Sequence, residues 1–247
     1  MWRHTAERYR DNPIVVGYDL MVEPNSNEVG SDFIHDRLDI WDPEEFYAKY
    51  GGTLYDWNQF YPRIVAAIRE VDPETPILVG AMAYSAVEWL PYLEPTDDPR
   101  TVYTVHQYAP FLYTHQWWDD LRFTYPGRFD TNWDGEPEDF NRAWLEDLLS
   151  TVDEFVASRG VPVAVNEFGV MRWVPGAAEF MDDQMDLFEE RGLNYALWAW
   201  EPSWPPWAQE VDAFNFRFGP NPHNHVEVDS DLLDVILEHW SSNTVRP

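Results

Sequence analysis

Short apolar runs recur along the chain, and the stretches between them carry apolar residues at a helical spacing. Runs that are apolar at nearly every position are typical of strands buried on both faces inside a parallel sheet. Five runs predict such strands: PIVVGYDLMV (13–22), TPILVGAM (75–82), TVYTVHQY (101–108), VPVAVNEF (161–168) and NYALWAW (194–200).

Helices are predicted where apolar residues return every third or fourth position. These patterns cover residues 55–71, 140–160, 177–192 and 229–240. Ser230 or Asp229 is the expected N-cap of the last helix. Gly160 and Gly192 are expected to end the two helices before it, as glycine often does just before a strand.

The alternation of strands with helices predicts an α/β fold with a parallel sheet and right-handed crossovers. Long loops follow the strands and short ones precede them, an asymmetry typical of a (β/α) barrel. We therefore predict one domain over residues 1–247, a partial (β/α) TIM-type barrel. It is expected to have about five parallel strands, with long loops at their carboxyl ends.

The composition of the chain argues against several classes of binding partner. With 45 acidic residues against 16 basic ones, the formal charge is −29, which argues against nucleic acid and anionic membranes as partners. Lys49 is the only lysine. A composition that is both acidic and poor in lysine is typical of proteins from a salt-rich habitat, and it equally suits an acidic surface over a sugar-binding fold. The lack of cysteine excludes disulfides and cysteine-bound metals. No apolar run is long enough to span a membrane, and the N-terminal stretch does not resemble a secretory signal, so the compartment stays open.

Two glutamates stand where predicted strands end. Glu167 interrupts the buried run VPVAVNEF, and Glu23 closes the first strand just before Pro24. The carboxyl ends of parallel strands meet at one edge of a sheet, so the two side chains can serve one opening. Glycoside hydrolysis needs two carboxyl groups of this kind, one as acid and one as nucleophile or base. For either glutamate alone, capping of a neighbouring helix is the alternative role.

Aromatic and imidazole side chains end the same strands. Strand alternation places His106 and Tyr108 on one face of their strand, and Trp198 and Trp200 on one face of theirs. A histidine and a tyrosine two positions apart, at the end of a buried strand, are typical of donors in a binding site. The chain has 14 tryptophans, several of them in loops, where flat rings suit stacking on sugars. Core packing is the ordinary alternative for any one of them.

These segments together resemble the second half of a family 5 glycoside hydrolase, from the cellulase-like branch of the retaining (β/α)8-barrel enzymes. GYDLMVEP is similar to the fourth-strand segment of that family, and VHQYAPFLYTHQ to its sixth-strand His-x-Tyr segment. VAVNEFG is similar to the seventh-strand segment with the nucleophile, and LWAWEPS to the eighth-strand tryptophan segment. The resemblance runs from Trp2 to Trp240.

The resemblance implies a retaining β-glycosidase that needs no metal or organic cofactor. Glu167 is the implied nucleophile and Glu23 the implied acid/base, and the implied substrate is a β-linked glucan, a mannan or a β-glucoside. The implied substrate-binding residues are His106, Tyr108, Trp200 and Trp198. By analogy with the family, such an enzyme is secreted.

Two departures from the family pattern matter. Val22 occupies the position of an asparagine that contacts the sugar 2-hydroxyl in the family. The first three strands of the barrel have no counterpart in the chain, which should expose both edges of the sheet. We therefore predict a homodimer through these edges. The alternative function is a catalytically weak or inactive half-barrel that binds carbohydrate or serves as an assembly unit.

Overall fold

The computed structural model describes residues 1–29, 38–200 and 208–243. The strands in these ranges are β1 (Tyr18–Asp19), β2 (Glu28–Val29), β3 (Leu38–Asp39), β4 (Ile77–Gly80), β5 (Thr101–Gln107), β6 (Gly127–Phe129), β7 (Glu138–Phe140), β8 (Val163–Phe168) and β9 (Asn194–Leu197). The helices are α1 (Trp2–Tyr9), α2 (Pro43–Tyr50), α3 (Tyr61–Arg69), α4 (Met82–Ser85), α5 (Phe111–Thr114), α6 (Arg142–Arg159), α7 (Ala177–Glu190), α8 (Ala208–Phe214) and α9 (Asp231–Ser241).

Five strands form a sheet in the order β1-β4-β5-β8-β9. Tyr18 of β1 lies beside Ile77 of β4, and Ile77 lies beside Thr101 of β5, with the strands parallel in both pairings. Two short antiparallel pairs, β2 with β3 and β6 with β7, lie outside this sheet. The predicted α/β fold class with about five parallel strands is therefore confirmed.

All five predicted strands are present, but the first is much shorter than its apolar pattern. β1 covers two residues, and Ile14 and Val16 before it are 85% and 83% exposed. The N–H of Val15 donates to the carbonyl of Asn12 at 3.0 Å in a turn instead. A strand at the edge of a sheet has one neighbour to pair with, so an apolar pattern alone does not hold its backbone in a ladder.

The four predicted helices are confirmed as α3, α6, α7 and α9. Ser230 is the N-cap of α9, because its side chain accepts a hydrogen bond from a backbone N–H of the first turn at 3.3 Å. Gly160 and Gly192 follow α6 and α7 with φ values of +68° and +64°, the left-handed geometry common at helix C-termini. The helix predicted over residues 55–71 is split into two elements, because Trp57–Gln59 forms a separate 3-10 turn before α3.

One compact unit of the chain comprises Met1–His106 and Thr151–Ala164. A buried carboxylate connects its first strand to the loop after α3. Asp72 accepts hydrogen bonds from the hydroxyl of Tyr18 at 2.8 Å and from the N–H of Thr75 at 3.0 Å. Burial alone would raise the pKa of Asp72, but these hydrogen bonds lower it to about 2. The loop that leads into β4 is therefore fixed by an ionised group.

The other compact unit comprises Gln107–Ser150 and Val165–Pro247. Its core is rich in aromatic rings that meet edge to face, the arrangement that the ring quadrupole favours. The ring of Phe140 contacts those of Tyr113 and Tyr125, with centroids 5.0 and 4.9 Å apart. These rings are at most 2% exposed, so apolar burial holds this part of the chain together.

The prediction of one domain over residues 1–247 stays a prediction. Among the helices in the described ranges, none combines the length and the apolarity that crossing a bilayer requires.

Candidate functional site

Glu23 lies in the irregular segment that follows β1, and its partner is a buried histidine. Its side chain is 37% exposed, and its Oε1 lies 2.9 Å from Nδ1 of His106. His106 lies on β5, and its side chain is 1% exposed. With Glu23 ionised, this contact requires the imidazole proton on Nδ1, since a carboxylate only accepts hydrogen bonds. The sheet therefore supplies a fixed imidazole to a partly exposed carboxylate.

The backbone on both sides of Glu23 is held by the turn that follows β4. Ser85 Oγ donates to the carbonyl of Val22 at 3.0 Å, and the N–H of Tyr84 donates to the carbonyl of Pro24 at 3.2 Å. This turn is the segment Met82–Ser85 (α4), which is not a regular helix, because three consecutive residues have positive φ values: Ala83 (53°), Tyr84 (62°) and Ser85 (60°). Each residue other than glycine in this left-handed backbone conformation costs on the order of 1 kcal/mol of stability, and the conformation persists where surrounding contacts hold it. Here those contacts converge on the segment that carries Glu23.

Glu167 lies near the end of β8, and its partner is a phenol. The hydroxyl of Tyr108 donates to Oε1 of Glu167 at 2.7 Å, and both residues are partly buried. A hydrogen bond donated to a carboxylate favours its ionised form. Two residues further on, Gly169 has no room for a side chain, since a Cβ there would lie 2.5 Å from the carbonyl oxygen of Trp198.

Tyr108 is itself held on three sides. Thr114 Oγ1 donates to its backbone carbonyl at 2.7 Å. Its ring meets those of His115 and Phe214 edge to face, with centroids 5.3 and 5.7 Å apart. Burial lowers the pKa of His115 to about 3, so this ring stays neutral and packs as an aromatic group. The phenol that reaches Glu167 therefore has a fixed ring behind it.

Trp198 and Trp200 come after the end of β9 at Leu197. The strand alternation that predicted a shared face for the two indoles therefore stops before them. The backbone N–H of Trp198 donates to the carbonyl of Phe168 at 2.9 Å, which ties the backbone of Trp198 to the end of β8. Trp200 is 52% exposed, and the guanidinium of Arg217 lies 4.4 Å from its ring centroid. A supported, half-exposed indole can stack on a sugar.

The structure brings the predicted residues together in two pairs. Glu23 pairs with His106 in one unit, and Glu167 pairs with Tyr108 in the other, which also contains Trp198 and Trp200. Sequence reasoning missed His115 and the turn at residues 83–85. For the histidine a signal existed, because it lies within the segment VHQYAPFLYTHQ that resembles the family.

A cluster on α7 and α9 has the residue types of a metal site. Ligand atoms of Asp182, Asp186 and His239 lie within 4.8 Å of one another. Burial alone would lower the pKa of His239, but hydrogen bonds of 3.0 Å to Asp182 and Glu189 raise it. Because the imidazolium form satisfies these carboxylates without an ion, we assign the cluster to the packing of α9 on α7.

Known proteins resemble this chain over much of its length. Residues 1–203 match the family Cellulase (glycosyl hydrolase family 5). Cellodextrinase A of Ruminococcus flavefaciens is 30% identical over 174 residues, which cover 69% of this chain and 43% of that protein. Endoglucanase C of Acetivibrio thermocellus is 24% identical over 224 residues, which cover 80% of this chain and 57% of that protein. The chain thus spans about half the length of these relatives.

A solved structure of a hyperthermophilic endo-β-1,4-glucanase in complex with substrate has a TM-score of 0.66 to this chain. The two are 17% identical, and the match covers 96% of this chain and 64% of the other. At this identity the likeness shows the fold, and it confirms the predicted partial (β/α) TIM-type barrel. Since the family match covers residues 1–203, the chain belongs to the cellulase family, glycosyl hydrolase family 5.

Proposed function

We propose that this protein is a retaining β-glycoside hydrolase that acts on β-glucans. The family match supports hydrolysis of glycosidic bonds, and relatives named endoglucanase and cellodextrinase support a β-glucan as the substrate. One observation carries the proposal: each predicted catalytic glutamate has its own hydrogen-bonding partner. Nδ1 of His106 lies 2.9 Å from Glu23, and the hydroxyl of Tyr108 lies 2.7 Å from Glu167.

The proposed reaction has two steps. In the first, the carboxylate of Glu167 attacks the anomeric carbon, and the glycosidic bond breaks as Glu23 gives its proton to the leaving oxygen. In the second, Glu23 takes a proton from water, whose oxygen attacks the anomeric carbon and releases Glu167 as a carboxylate. The configuration is retained because the carbon is inverted twice. Neither step uses a metal or an organic cofactor.

The two partners suit the two roles. A phenol donates a hydrogen bond to the ionised form of Glu167, which is the form that attacks. Histidine either donates or accepts at Nδ1, depending on its tautomer, so His106 can stay bonded to Glu23 in both of its protonation states. Trp200, and Trp198 beside it, are proposed to stack on the sugar.

Loss of the nucleophile tests this function directly. Replacing Glu167 by Ala should lower hydrolysis of an aryl β-cellobioside about a thousandfold or more, because the covalent step is lost. Azide should restore part of the rate by attacking in place of the carboxylate, and should give an α-glycosyl azide. The exposed Glu146 on α6 provides a matched control, since Glu146→Ala removes a carboxylate from the same unit.

Unchanged hydrolysis in Glu167→Ala would rule out this residue as the nucleophile. If the native chain binds cello-oligosaccharides but cleaves no glycoside, the alternative of a carbohydrate-binding unit is favoured. Val22 is consistent with a slow enzyme, because an aliphatic side chain cannot hydrogen-bond to the sugar 2-hydroxyl.

We also propose that two copies of the chain associate along the edge of the sheet formed by β1. Apolar side chains are exposed along this segment: Ile14 (85%), Val16 (83%), Met21 (48%) and Val22 (51%). Unpaired strand edges beside apolar surface favour association, and two-fold dimers are the commonest outcome. Sedimentation velocity at low micromolar concentration should show a dimer, whereas a well-folded monomer would contradict the proposal.

A further inference from the structure

The half-exposed ring of Trp200 is held by a guanidinium. Arg217 lies over one face of this indole, 4.4 Å from the ring centroid, and its Nη2 donates to the backbone carbonyl of Trp200 at 2.8 Å. The rings of Phe216 and Trp240 also lie near, with centroids 6.0 and 6.1 Å from that of Trp200. Arg217 therefore restrains both the backbone and the ring of Trp200, while 52% of that residue stays exposed.

The guanidinium of Arg217 is itself fixed in place. Its side chain is 14% exposed, and its Nε donates at 3.3 Å to Oδ1 of Asn215, a fully buried residue. Oε2 of Glu227 lies 3.6 Å from Nη1. The carbonyl of Arg217 accepts a hydrogen bond from the N–H of Val228 at 2.9 Å, so the backbone is restrained as well. The planar group is therefore already oriented when it stacks on the indole.

A fully buried arginine joins this segment to the strand that carries Glu167. Arg172 lies in the loop after β8, and its side chain is 0% exposed. Its guanidinium donates at 2.6 to 3.0 Å to the backbone carbonyls of Asp212, Gly219, Asn221 and Asn224. Because arginine carries five N–H donors, one side chain can satisfy several carbonyls of an irregular segment. The segment around Arg217 is therefore attached to the loop that follows β8.

We propose that Arg217 is a positioning residue for the sugar that stacks on Trp200. The guanidinium covers one face of the indole, so a sugar has the opposite face to stack on, and Arg217 acts through the ring without touching the sugar. This assignment rests on the proposed function, in which Trp200 stacks on the sugar. Arg217 lies outside residues 1–203, so the family match does not extend to it.

The effect of Arg217 is expected in binding and not in the chemical step. Without the guanidinium the indole can rotate, and a sugar that binds has to immobilise it at a cost in conformational entropy. That cost is the same in the ground state and in the transition state, so it raises KM and leaves kcat nearly unchanged. Arg217→Ala should therefore raise KM for cellotetraose about five- to tenfold, with kcat within about twofold of the native value.

A double-mutant cycle with Trp200 tests the assignment. In a Trp200→Ala background the indole is absent, so Arg217→Ala should change kcat/KM for cellotetraose by less than about twofold. A loss of the same size in both backgrounds would overturn the proposal, because Arg217 would then support the fold and not the indole. Arg217→Lys keeps the charge and a donor but lacks the planar group, so it should recover part of the loss when Trp200 is present.

Glu227→Gln is the matched control, because it removes the ion-pair partner of Arg217 and leaves the guanidinium on the indole. Its kcat/KM should stay within about twofold of the native value. An equal loss in Glu227→Gln and Arg217→Ala would overturn the proposal, since the ion pair would then be responsible. If Arg217→Ala does not fold, the cycle built with Arg217→Lys decides in its place, and equal losses in its two backgrounds again overturn the proposal.

Binding measured without turnover separates this assignment from the proposed function. In a Glu167→Gln background, calorimetry with cellotetraose should show about five- to tenfold weaker binding for Arg217→Ala when Trp200 is present, and no further weakening when Trp200 is replaced by Ala. If the native chain binds cellotetraose without cleaving it, the proposed function fails, and the calorimetric cycle alone decides the role of Arg217. If the native chain cleaves cellotetraose but both cycles are additive, the proposed function stands and the positioning role is overturned. A native chain that neither binds nor cleaves cellotetraose would overturn both.

Discussion

The two predicted catalytic glutamates are held by different kinds of structure. Glu23 follows a two-residue strand, is 37% exposed, and depends on a strained turn at residues 83–85 to fix its backbone. Glu167 lies within the six-residue strand β8, where the ladder of the sheet fixes the backbone. Its partner Tyr108 is supported by the rings of His115 and Phe214.

This difference matches what the two proposed roles require. A nucleophile has to stay ionised and point at one carbon atom, which a regular strand and a fixed phenol provide. An acid/base has to exchange protons with a leaving group and with water, so it has to be near solvent and to tolerate both protonation states. A partly exposed carboxylate paired with an imidazole meets that demand.

The largest expected effect is the loss of activity when either glutamate is replaced by glutamine. The two losses should depend differently on the leaving group of the substrate. Glu23→Gln should lower cleavage of cellotetraose by about 10²- to 10⁴-fold, since the leaving sugar needs a proton. The kcat/KM for β-cellobiosyl fluoride should fall far less, because it reports the first step and fluoride leaves without a proton. The kcat for the fluoride should fall as well, since Glu23 is also the base of the second step. Glu167→Gln should abolish both reactions. Values of kcat/KM on the two substrates make the comparison, and equal losses in the two variants would show that the glutamates do not divide the roles in this way.

The sequence predicts the five strands of the parallel sheet, the helices α3, α6, α7 and α9, and both glutamates for identifiable physical reasons. Burial on both faces of a strand leaves an apolar run, and a charge at the end of such a run is costly enough to stand out. Glu167 could be singled out on that basis.

The turn at residues 83–85 could not be predicted, because Ala-Tyr-Ser contains none of the glycine, asparagine or aspartate that usually marks left-handed backbone. Its conformation comes from contacts with Val22 and Pro24, which are distant in the sequence. The contact of Arg217 with Trp200 likewise joins residues that are distant in the sequence.

A smaller effect should follow from loosening the turn that holds Glu23. Ser85→Ala removes the hydrogen bond to the carbonyl of Val22, and alanine occupies left-handed backbone at about the cost of serine, so the change isolates the hydroxyl. We expect kcat on cellotetraose to fall about three- to tenfold with little change in KM, because the acid/base is less well placed. The kcat/KM for β-cellobiosyl fluoride should stay near the native value, because it reports only the step in which fluoride leaves without a proton.

The matched control for this turn lies in the other unit. Thr114→Val removes the hydrogen bond to the carbonyl of Tyr108, which supports the partner of the nucleophile. Its effect should therefore be similar on both substrates, because both need Glu167. If Ser85→Ala slows the two substrates equally, the turn stabilises the fold and does not specifically position the acid/base.

The last effect is one on stability, and it concerns the neutral histidine behind Tyr108. The pKa of His115 is lowered by burial from 6.5 to about 3 in the folded chain, so between these values the unfolded chain binds the extra proton. Its contribution to stability is therefore present above pH 6.5 and is lost as the pH falls toward 3, by up to about 1.4 kcal/mol per pH unit. Phenylalanine keeps the ring and cannot bind a proton. Native stability should thus fall relative to that of His115→Phe as the pH decreases.

Free energies of unfolding in urea at pH 7, 5.5 and 4 provide the measurement, and the difference between native chain and variant cancels groups that titrate in both. His115→Gln is the internal control, because it also lacks the titrating proton but can still bond to Oγ1 of Thr114, which lies 2.9 Å from Nδ1 of the histidine. The two variants should differ in absolute stability, since only phenylalanine preserves the stacking on Phe111 at 3.8 Å, yet share the same change with pH. A constant difference between the native chain and both variants would mean that the ring takes up its proton in the folded state, and that Tyr108 is supported by a more open structure than the one described.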